Sequence, residues 1–571
     1  MSDLNALRNA TTLPQLARLL KLKGEFVSHS LYWYRQTAPY SSFTIPKKGG
    51  GRRTIEAPNT RLKLLQSRLA DLLMRVEAEM ESRRTTKARV LAHGFKPGFS
   101  IMTNASHHRN RRWVFNIDLK DFFHSINFGR VYGFLLKDRN FELAPKTAAI
   151  IAQIACHKNR LPQGSPCSPV ISNLIAHVLD IKLNKIASRH RCTYTRYADD
   201  ITFSTNEREF PEAIARLVRG SEDKWVPGDG ILREIHRAGF QVNHDKSRMQ
   251  RRDSRQDTTG LIVNQKLNVR HEYYKQVRAM CHHLFVNGYA HSGERGGKVP
   301  VKNETLDGML GFIHQVRSLK NASFFRSDQP GFSSLYGKFL DYQAFYGILR
   351  PRIIGEGKTD NNYIRSAIKS LAAKFPSLID PSSPPTAAVD FFHYNKRSAA
   401  FQDLSGGTDE MHKLLSSYRA RTAAFKHIAR HPVIMVVDND AASAKIFAHL
   451  SNILGTAVGG MDPFYHVYEN LYLAPIPKTA GHVAVEDLFD ASVLAQTING
   501  RTFNPSNKKF DQSIYYGKNE FATKIVAPQR ATIDFTKFEP LLAAFVDIMA
   551  DYEKRYAVSL AESKSGLAAA A

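Results

Sequence analysis

Cysteine is scarce in this sequence. Four cysteines occur among 571 residues, at positions 156, 167, 192 and 281. Their spacing matches neither a disulfide framework nor a paired set of metal ligands, so we expect a protein of a reducing cytoplasm. Cys281 is followed by His282 and His283. Three consecutive helical residues point in different directions, which argues against a zinc site.

Long apolar runs are also missing. No uninterrupted hydrophobic stretch is long enough to cross a membrane, and the first residues lack the apolar core of a signal peptide. We therefore expect no membrane partner. Hydrophobic residues still make up 43% of the chain, which is enough to fill the cores of several domains.

Acidic residues are outnumbered by basic ones. The chain has 80 Lys and Arg residues against 52 Asp and Glu residues, which gives a net charge of +28 and a pI near 9.8. A solvated basic surface accounts for part of this excess, but its size favours a polyanionic partner. Binding should then weaken steeply with salt, because bound phosphates release their counterions.

The segment from Cys192 to Ser204 is predicted to form a hairpin. Its β-branched and aromatic residues alternate on both sides of a turn that exposes Asp199 and Asp200. Adjacent carboxylates repel each other unless a cation lies between them, and a divalent metal ion is the usual solution. A solvated Asp-Asp turn is the alternative interpretation of this motif alone.

A third carboxylate is expected beside this turn. Residues 112–126 form an apolar strand pattern interrupted by Asp118, where a buried strand does not tolerate an isolated charge. A strand ending there would place three oxygen donors around two Mg²⁺ ions. Two such ions roughly 4 Å apart can activate a hydroxyl and stabilise a leaving pyrophosphate. The pattern therefore predicts phosphoryl transfer involving a nucleotide.

Two glycine-containing segments are candidates for phosphate binding. Residues 46–58 indicate a hairpin with a cationic tip, whose glycines would let Arg52 or Arg53 approach a triphosphate. An ordinary surface loop is the alternative. Residues 161–169 combine Pro, Gly and Ser just before an apolar helix at 170–183, which suits an anion near the helix start.

Strand–turn–helix units recur in the C-terminal part. One strand near residue 352 runs into a glycine turn that carries Glu356, and another, residues 431–440, ends in Asp438 and Asp440. A helical segment follows each. This order indicates a parallel α/β sheet with the three carboxylates at the carboxyl ends of strands, where such sheets bind ligands.

Five motifs stand in order along the N-terminal part: Asn104-Ala-Ser-His-His108, Asn116-Ile-Asp-Leu-Lys-Asp-Phe-Phe123, Leu161-Pro-Gln-Gly164, Tyr197-Ala-Asp-Asp200 and Thr259-Gly260. Together they resemble reverse transcriptases, and specifically those of bacterial retrons. The order of several motifs makes this resemblance specific, and it covers roughly residues 20–345. Thr258 departs from the family pattern, in which valine precedes Thr-Gly.

The resemblance implies a role for each matched residue. Asp118, Asp199 and Asp200 would bind the metal ions, Phe123 would exclude a ribose 2′-OH, and Gln163 would contact the incoming nucleotide. Phe123 is otherwise an ordinary core aromatic.

The resemblance also assigns contacts with phosphates and RNA. Arg53 would meet the nucleotide phosphates, and Lys246 would protonate the pyrophosphate, a surface lysine being the alternative for Lys246. Contacts with RNA are implied for four residues: Asn104, His108, Thr259 and Gly260.

The C-terminal acidic motifs, Glu356-Gly-Lys-Thr-Asp360 and Asp438-Asn-Asp440, resemble those of the Toprim fold of topoisomerases, primases and some nucleases. Ser405-Gly-Gly407 resembles a glycine loop of that family. The resemblance implies a second site for one or two Mg²⁺ ions on Glu356, Asp438 and Asp440, with Glu486 completing it. Lys518 would stabilise transition-state charge, an ordinary exposed lysine being the alternative.

The whole chain resembles a class of retron in which the polymerase and its effector share one polypeptide. The implied fold is an α+β right-hand polymerase with fingers, palm and thumb, followed by an α/β Toprim domain with a Rossmann-like parallel sheet. We expect an N-terminal helical segment at 1–30, the reverse transcriptase at 31–345 and the Toprim effector at 346–571.

The function implied by this resemblance has two parts. The polymerase would use dNTPs to copy part of a structured non-coding RNA, primed from a 2′-OH of that RNA, into a branched RNA–DNA product, msDNA. The Toprim domain would be an antiphage nuclease acting on RNA or DNA and restrained by the msDNA, in a bacterial cytoplasm. A homo-oligomer assembled with the msDNA is compatible with this scheme.

Three alternatives remain open. A group II intron maturase would need a DNA-binding or endonuclease appendage where the Toprim motifs stand. A topoisomerase or primase would need further machinery, such as a nucleophilic tyrosine on a separate domain. The Toprim domain could also be a non-catalytic scaffold that binds nucleic acid, although a pure binding surface has no need of clustered carboxylates.

Overall fold

A computed structural model describes residues 2–33, 39–46, 50–83, 89–293, 299–318, 330–478, 483–506 and 510–569. Contacts within the chain define two units: Met1–His271 with Gln315–Lys320, and Glu272–His314 with Asn321–Ala571. The sequence-based boundary at 346 assigned residues 272–314 to the polymerase, whereas their contacts lie within the second unit. Phe285, for example, packs against Tyr342 and Phe425.

The first unit mixes helices with short antiparallel sheets. Its helices are α1 (Asp3–Asn9), α2 (Leu13–Leu19), α3 (Gly24–Ser28), α4 (Thr60–Ser82), α5 (Ile101–Ser106), α6 (Phe128–Lys137), α7 (Pro145–Ala155), α8 (Ser168–Arg189) and α9 (Asp229–Arg237). Its strands are β1 (Tyr40–Pro46), β2 (Arg52–Pro58), β3 (Trp113–Leu119), β4 (Thr193–Tyr197), β5 (Asp200–Thr205), β6 (Ala215–Leu217), β7 (Trp225–Pro227), β8 (Val242–Arg251), β9 (Asp257–Thr258) and β10 (Leu261–Ile262).

Local signals predict several of these elements. α2 starts directly after Thr12, whose N–H donates to the Gln15 side chain, and Pro14 lies in its first turn. The N-terminal segment is nevertheless three short helices. Extended residues Ala10 and Thr12 separate α1 from α2, and a turn at Lys21 with a φ of +54° separates α2 from α3. The predicted β1–β2 hairpin and the amphipathic helix α4 are confirmed. Residues 47–49 of the cationic hairpin tip lie outside the described residues.

The central sheet of the first unit has the strand order β4-β5-β3-β8, with every pair antiparallel. Helix α8 carries apolar residues around its whole circumference and packs beneath β4, which explains its extensive burial. A fully buried ion pair joins these elements, since Arg196 Nε and Nη2 each donate to Asp180 at 2.8 Å. Removing one member of such a pair costs about 3–5 kcal/mol.

The remaining elements lie in the second unit, apart from the first residue of α10 and the last three of α11, which belong to the first unit. The helices of the second unit are α10 (His271–Asn287), α11 (Asn303–Arg317), α12 (Pro330–Asp341), α13 (Asp360–Ser370), α14 (Lys396–Gln402), α15 (Thr408–Thr422), α16 (Ala444–Leu454), α17 (Ala491–Leu494), α18 (Lys518–Glu520) and α19 (Glu539–Ala569). Its strands are β11 (Ala290–Ser292), β12 (Val299–Val301), β13 (Arg352–Ile354), β14 (Ile379–Asp380), β15 (Thr386–Ala387), β16 (Asp390–Phe391), β17 (Val433–Val437), β18 (Tyr465–Tyr468), β19 (Leu471–Pro475), β20 (Thr502–Phe503) and β21 (Tyr515–Tyr516).

The main sheet of the second unit has the order β16-β13-β17-β19-β18. The first four strands are parallel and β18 is antiparallel, so the predicted parallel sheet is confirmed. β17 is buried along its whole length, as expected for a strand covered on both faces. Within the described residues, no helix combines the length and apolar character needed to cross a bilayer.

Candidate active sites

Three aspartates meet at one edge of the central sheet of the first unit. Asp118, near the end of β3, lies opposite Asp200, the first residue of β5, in the antiparallel register. The Leu119 N–H donates to the Asp199 carbonyl at 3.0 Å, which ties the β4–β5 turn to β3. We call Asp118, Asp199 and Asp200 the first acidic site.

The turn that carries Asp199 requires an uncommon backbone conformation. Ala198 and Asp199 alone connect Tyr197 of β4 to Asp200 of β5, and Ala198 has a φ of +56°. A positive φ at this position suits the twist of paired strands but is uncommon for alanine. A Cβ added at Gly94 would lie 2.6 Å from the Ala198 nitrogen, so a side chain at position 94 would displace the turn.

A lysine ammonium neutralises part of the first acidic site. β8 pairs with β3 through a register irregularity between Asn116 and Asp118, and Lys246 lies in that irregular stretch. Its Nζ donates to Asp118 Oδ2 at 2.9 Å, while 60% of the lysine side chain remains exposed. Such irregularities re-aim side chains that a regular strand would point elsewhere.

The carboxylates of this site repel one another. Burial raises the pKa of Asp200 to about 7, and Asp199 and Asp118 add to the shift, although part of the residue surface remains open to solvent. Burial and the Asp118 charge also raise the pKa of Asp199, while Lys246 and Arg53 oppose that shift. Neighbouring carboxylates are unfavourable when they are ionised together, and a cation between them stabilises their charged forms.

The donor chemistry of the first acidic site fits Mg²⁺. This ion prefers carboxylate oxygens, usually completed by substrate phosphates and water. Among the residues that the structure describes, no three His, Cys, Asp or Glu side chains are arranged to enclose a metal ion by themselves. Lys246 bonds to one Asp118 oxygen instead, so metal binding through that oxygen requires the lysine to move away.

The predicted nucleotide-binding residue Gln163 lies in a loop that packs against β2. Its carbonyl accepts from the Glu56 N–H at 2.7 Å, and a Cβ on Gly164 would lie 2.6 Å from the Glu56 carbonyl oxygen. β2 also carries Arg53, whose charge acts on Asp199. The structure therefore connects the loop, through β2, with the first acidic site.

Phe123 lies just beyond β3 and is half-buried. Its ring contacts those of Phe122 and Phe95, with centroid distances of 5.5 and 5.9 Å. Phe122 is buried and stacks on Phe240, so it is the core aromatic of the pair. Phe123 is the one that keeps an accessible surface.

A second group of carboxylates lies at one edge of the parallel sheet. β13 and β17 are parallel neighbours with Ile354 opposite Met435, so the residues that follow them meet at the same edge. Glu356 follows β13, and Asp438 follows β17. The charges of Glu356, Asp360 and Glu486 act on Asp438. We call these four residues, together with the motif residue Asp440 two positions after Asp438, the second acidic site.

Backbone amides orient two of these carboxylates. The Val485 N–H donates to Asp438 Oδ1 at 3.1 Å, and the Ser443 N–H donates to Asp440 Oδ1 at 3.0 Å. Burial raises the pKa of Asp438 to about 8, and the charges of the neighbouring acids add to the shift. The neighbouring carboxylates therefore disfavour ionisation of Asp438.

Lys518 supplies a positive charge to the second acidic site. Its Nζ lies 3.0 and 3.1 Å from the two carboxylate oxygens of Glu486, which is buried. Only 22% of the lysine side chain is exposed. Although burial opposes the shift, the Glu486 charge raises the pKa of Lys518. Lys518 is thus not an ordinary exposed lysine.

Two residues of this region are absent from the sequence-based candidates. Asp360 accepts from the Gly357 N–H at 2.7 Å, and burial raises its pKa to about 7. Thr408 Oγ1 donates to Glu356 Oε1 at 2.5 Å, and Glu356 Oε2 is buried without a hydrogen-bond partner. The sequence contains a signal for each residue. Asp360 is the last residue of the first C-terminal acidic motif, and Thr408 directly follows the glycine loop at 405–407.

Comparison with known proteins identifies the family. The reverse transcriptase family, described as RNA-dependent DNA polymerases, matches residues 45–263. The retron Ec86 reverse transcriptase of Escherichia coli is 32% identical over 252 residues, which are 43% of this chain and 70% of that protein. The chain belongs to the retron reverse transcriptase family.

Two retron reverse transcriptases of Myxococcus xanthus are also similar. Mx65 is 33% identical over 309 residues and Mx162 is 33% identical over 342 residues, which are 51% and 55% of this chain. The chain spans 64% and 66% of the lengths of these two relatives. A telomerase structure from Candida albicans matches 53% of this chain and 59% of that one at 10% identity, with a TM-score of 0.29 that is too low to bear on the fold.

The retron-type signature at α5 is buried. Asn104 is inaccessible, and neither of its side-chain amide atoms has a hydrogen-bond partner. His108 is also inaccessible, with Nδ1 2.7 Å from Ser204 Oγ and Nε2 2.7 Å from Thr195 Oγ1. Burial holds the pKa of His108 well below its usual value. In this structure, therefore, His108 supports the central sheet and does not present a surface to RNA.

The second retron-type signature is accessible. Thr259 and Gly260 form the turn between β9 and β10, with φ values of +48° and +84°. The Thr259 hydroxyl donates to the Ile101 carbonyl at 3.2 Å, while Gly260 is exposed. Unlike Asn104 and His108, this turn therefore reaches the protein surface.

Proposed function

We propose that the first unit is an RNA-directed DNA polymerase that copies a retron non-coding RNA into msDNA. The pairing of Asp118 with the Asp199–Asp200 turn is the observation that carries this proposal. Family membership and the net charge of +28 support it. Its partners would be the retron RNA, its msDNA product and dNTPs, in a bacterial cytoplasm.

Several residues of the first unit would each have a separate role in nucleotidyl transfer. A bound Mg²⁺ would supply activation of the attacking hydroxyl and charge neutralisation for the leaving pyrophosphate. Asp118, Asp199 and Asp200 would hold it. Lys246, released from Asp118, would donate a proton to the pyrophosphate, and Arg53 would bind the nucleotide phosphates.

Other residues would select the substrates. Gln163 would contact the incoming nucleotide, and the accessible face of Phe123 would exclude a ribose 2′-OH. Thr259 and Gly260 would contact the RNA, with the buried Asn104 and His108 supporting that region from within.

For the second unit we infer a Toprim-like, Mg²⁺-dependent nuclease. Carboxylates at the ends of adjacent parallel strands and the unpaired oxygen of Glu356 support this assignment. Glu356, Asp438, Asp440 and Glu486 would hold the metal, and Lys518 would stabilise charge on the cleaved phosphate. The nuclease would act on RNA or DNA in antiphage defence, and the msDNA would restrain it. The chain could form a homo-oligomer together with the msDNA.

A non-catalytic scaffold is the second candidate for this unit. The pairing of Lys518 with Glu486 favours it, because the site is already partly neutralised without a metal ion. A scaffold would bind RNA or msDNA equally well in Mg²⁺ and in EDTA.

The two activities can be tested on the same purified chain. We expect extension of a DNA primer on an RNA template with dNTPs and Mg²⁺, and cleavage of at least one of tRNA, mRNA or DNA after the msDNA is digested away. Asp200→Asn should abolish extension, and Glu356→Gln should abolish cleavage. Asp409→Asn is the matched control, because Asp409 is an exposed acid paired with Lys445. Cleavage that persists in Glu356→Gln, or that never occurs, contradicts the nuclease.

A further inference from the structure

A buried carboxylate lies in β2, outside the first acidic site. Most residues of the β1–β2 hairpin are exposed, but Glu56 is only 3% exposed. A buried ionised group is unfavourable unless it is paired and hydrogen-bonded. The groups that surround the Glu56 carboxylate therefore indicate its role.

Two side chains from other segments face this carboxylate. Arg160 Nη2 donates to Oε1 in a long hydrogen bond of 3.4 Å, and His124 Nε2 lies 3.9 Å from Oε2. Among the described residues, the buried atoms Glu56 Oε2, His124 Nε2 and Arg160 Nε have no hydrogen-bond partner. Buried polar atoms are nearly always satisfied, so three such atoms around one carboxylate are unusual. We call Glu56, His124 and Arg160 the Glu56 cluster.

The backbone of Glu56 holds the loop that contains Gln163. The Glu56 N–H donates to the Gln163 carbonyl at 2.7 Å, and Gly164 packs against the Glu56 carbonyl. Arg160 belongs to the same loop, where its N–H donates to the His157 carbonyl at 3.0 Å. The backbone and the side chain of Glu56 therefore contact this loop at two points.

His124 belongs to the segment that carries Phe123. The Leu161 N–H donates to the Ile126 carbonyl at 2.9 Å, which ties this segment to the loop. A contact between His124 and Glu56 therefore acts on the residue next to Phe123. The Glu56 carboxylate thus lies where the two segments that carry Phe123 and Gln163 meet β2.

The charges around His124 favour its neutral form. Burial lowers the pKa of His124 and Arg160 adds to this shift, whereas Glu56 and Asp121 oppose it. A neutral imidazole has one N–H, which donates to Glu56 when Nε2 carries the proton. Closing the gap between Nε2 and Oε2 by about 1 Å would form a normal hydrogen bond. The cluster can therefore tighten through a small displacement.

We propose that Glu56 is a positioning residue of the polymerase, whose carboxylate joins His124 to Arg160 and so fixes the separation of Phe123 and Gln163. This inference rests on the proposed polymerase function. Glu56 acts through these two residues and has no contact of its own with the nucleotide. Tightening the cluster would satisfy its buried atoms and hold both segments in place against β2.

Incorporation of a single nucleotide by the full chain tests this assignment. The kcat, the KM and the dissociation constant for one dNTP are measured with a DNA primer annealed to an RNA template. Glu56→Gln preserves the shape of the side chain and removes its charge. It should raise the KM and the dissociation constant at least about tenfold. The kcat should change less than about threefold, because Glu56 does not touch the reacting atoms.

Two substitutions of His124 distinguish positioning from packing. His124→Gln supplies an amide N–H that can donate to Glu56, and it should keep the KM within about threefold of wild type. His124→Leu removes the donor and should raise the KM as much as Glu56→Gln does. The double variant with Glu56→Gln and His124→Leu should be no worse than either single variant, because both changes remove one contact.

Glu212→Gln is the matched control, because Glu212 is an exposed acid of the same unit outside the cluster. It should leave the KM, the kcat and the dissociation constant unchanged. Arg160→Gln should raise the KM as Glu56→Gln does. Because 41% of the Arg160 side chain is exposed, this variant decides the question if the variants of the buried side chains do not fold.

An unchanged KM in Glu56→Gln would overturn the assignment, as would equal effects of His124→Gln and His124→Leu. A fall in kcat with an unchanged KM and dissociation constant would overturn it too. Absence of incorporation by the wild type would instead refute the polymerase. The dissociation constants need no turnover, so they would still compare the variants in that case.

Discussion

The two acidic sites both bring mutually repelling carboxylates together, but their surroundings differ. Each gathers carboxylates that repel one another, and each is partly neutralised by a lysine. In the first site, Lys246 bonds to Asp118 with 60% of its side chain exposed. In the second, Lys518 donates to Oε2 of the buried Glu486 and forms an ion pair with Oε1, and only 22% of the lysine side chain is exposed. The lysines therefore differ in how readily they can give way to a metal ion.

The difference in exposure has an energetic consequence. Both lysines pair with a buried carboxylate, but most of the Lys246 side chain is solvated, so Lys246 can leave its partner at a lower cost than Lys518 can. A buried carboxylate that loses its partner is much less stable, which holds Lys518 in place. Under the functions proposed above, the first site would exchange its lysine for a metal ion, whereas the second would keep its lysine beside the metal.

The largest expected effect is the separation of the two activities. Asp118→Asn should lower DNA synthesis at least about a thousand-fold and leave nucleic-acid cleavage unchanged, because it removes a proposed metal ligand of one site only. Glu356→Gln should do the reverse. Primer extension and nuclease assays on the same preparations measure both. A variant that lowers both activities together would show that the sites are not independent.

Removal of each lysine compares the sites directly. In EDTA, Lys518→Met should lower the free energy of unfolding by about 3 kcal/mol, because Glu486 is left buried without a partner. Lys246→Met should lower it by a smaller amount, because 60% of the Lys246 side chain is exposed although Asp118 is buried. Chemical denaturation measures both, and Mg²⁺ should restore much of the loss in Lys518→Met. Equal effects of the two substitutions would contradict the comparison.

The pH dependence of stability should reveal the second site. The pKa of Asp438 is about 8 in the folded chain, against about 3.9 for an unfolded aspartate. Between these values the folded chain binds a proton that the unfolded chain lacks, so stability falls as pH rises and levels off above pH 8. Denaturation in EDTA should show this decline in wild type and a shallower one in Asp438→Asn. If stability declines equally steeply with pH in wild type and in Asp438→Asn, the raised pKa of Asp438 is contradicted.

The smallest expected effect concerns Thr408, which fixes one oxygen of Glu356. Thr408→Val should reduce cleavage about tenfold and raise the Mg²⁺ concentration for half-maximal activity, since one charge-assisted hydrogen bond is lost. Thr408→Ser should restore both values, and DNA synthesis should be unchanged. If Thr408→Ser is as impaired as Thr408→Val, the threonine methyl group matters instead of the hydroxyl.

Local patterns in the sequence predict the strands that carry the acids. The alternating residues around Asp199 and Asp200 form the β4–β5 hairpin, and the apolar run before Asp438 forms β17. Charges at the ends of such strands stand out because a buried strand otherwise excludes them. The positions of the carboxylates, and the parallel sheet of the second unit, could therefore be predicted.

Contacts between distant segments could not be predicted in the same way. Sequence alone does not reveal that Lys246 lies in an irregular strand pairing, or that Thr408 reaches Glu356 across 52 positions. It also gives no sign that His108 is enclosed between two hydroxyl groups. Each of these features depends on tertiary packing, which overrides local pattern.

The central claim is that one chain holds two separate acidic sites for divalent metal ions. Anomalous diffraction from crystals of the full chain soaked in Mn²⁺ tests it most directly. We predict one set of manganese peaks within bonding distance of Asp118, Asp199 and Asp200, and another at Glu356 and Asp438. Peaks at only one of these sites, or at neither, would contradict the account.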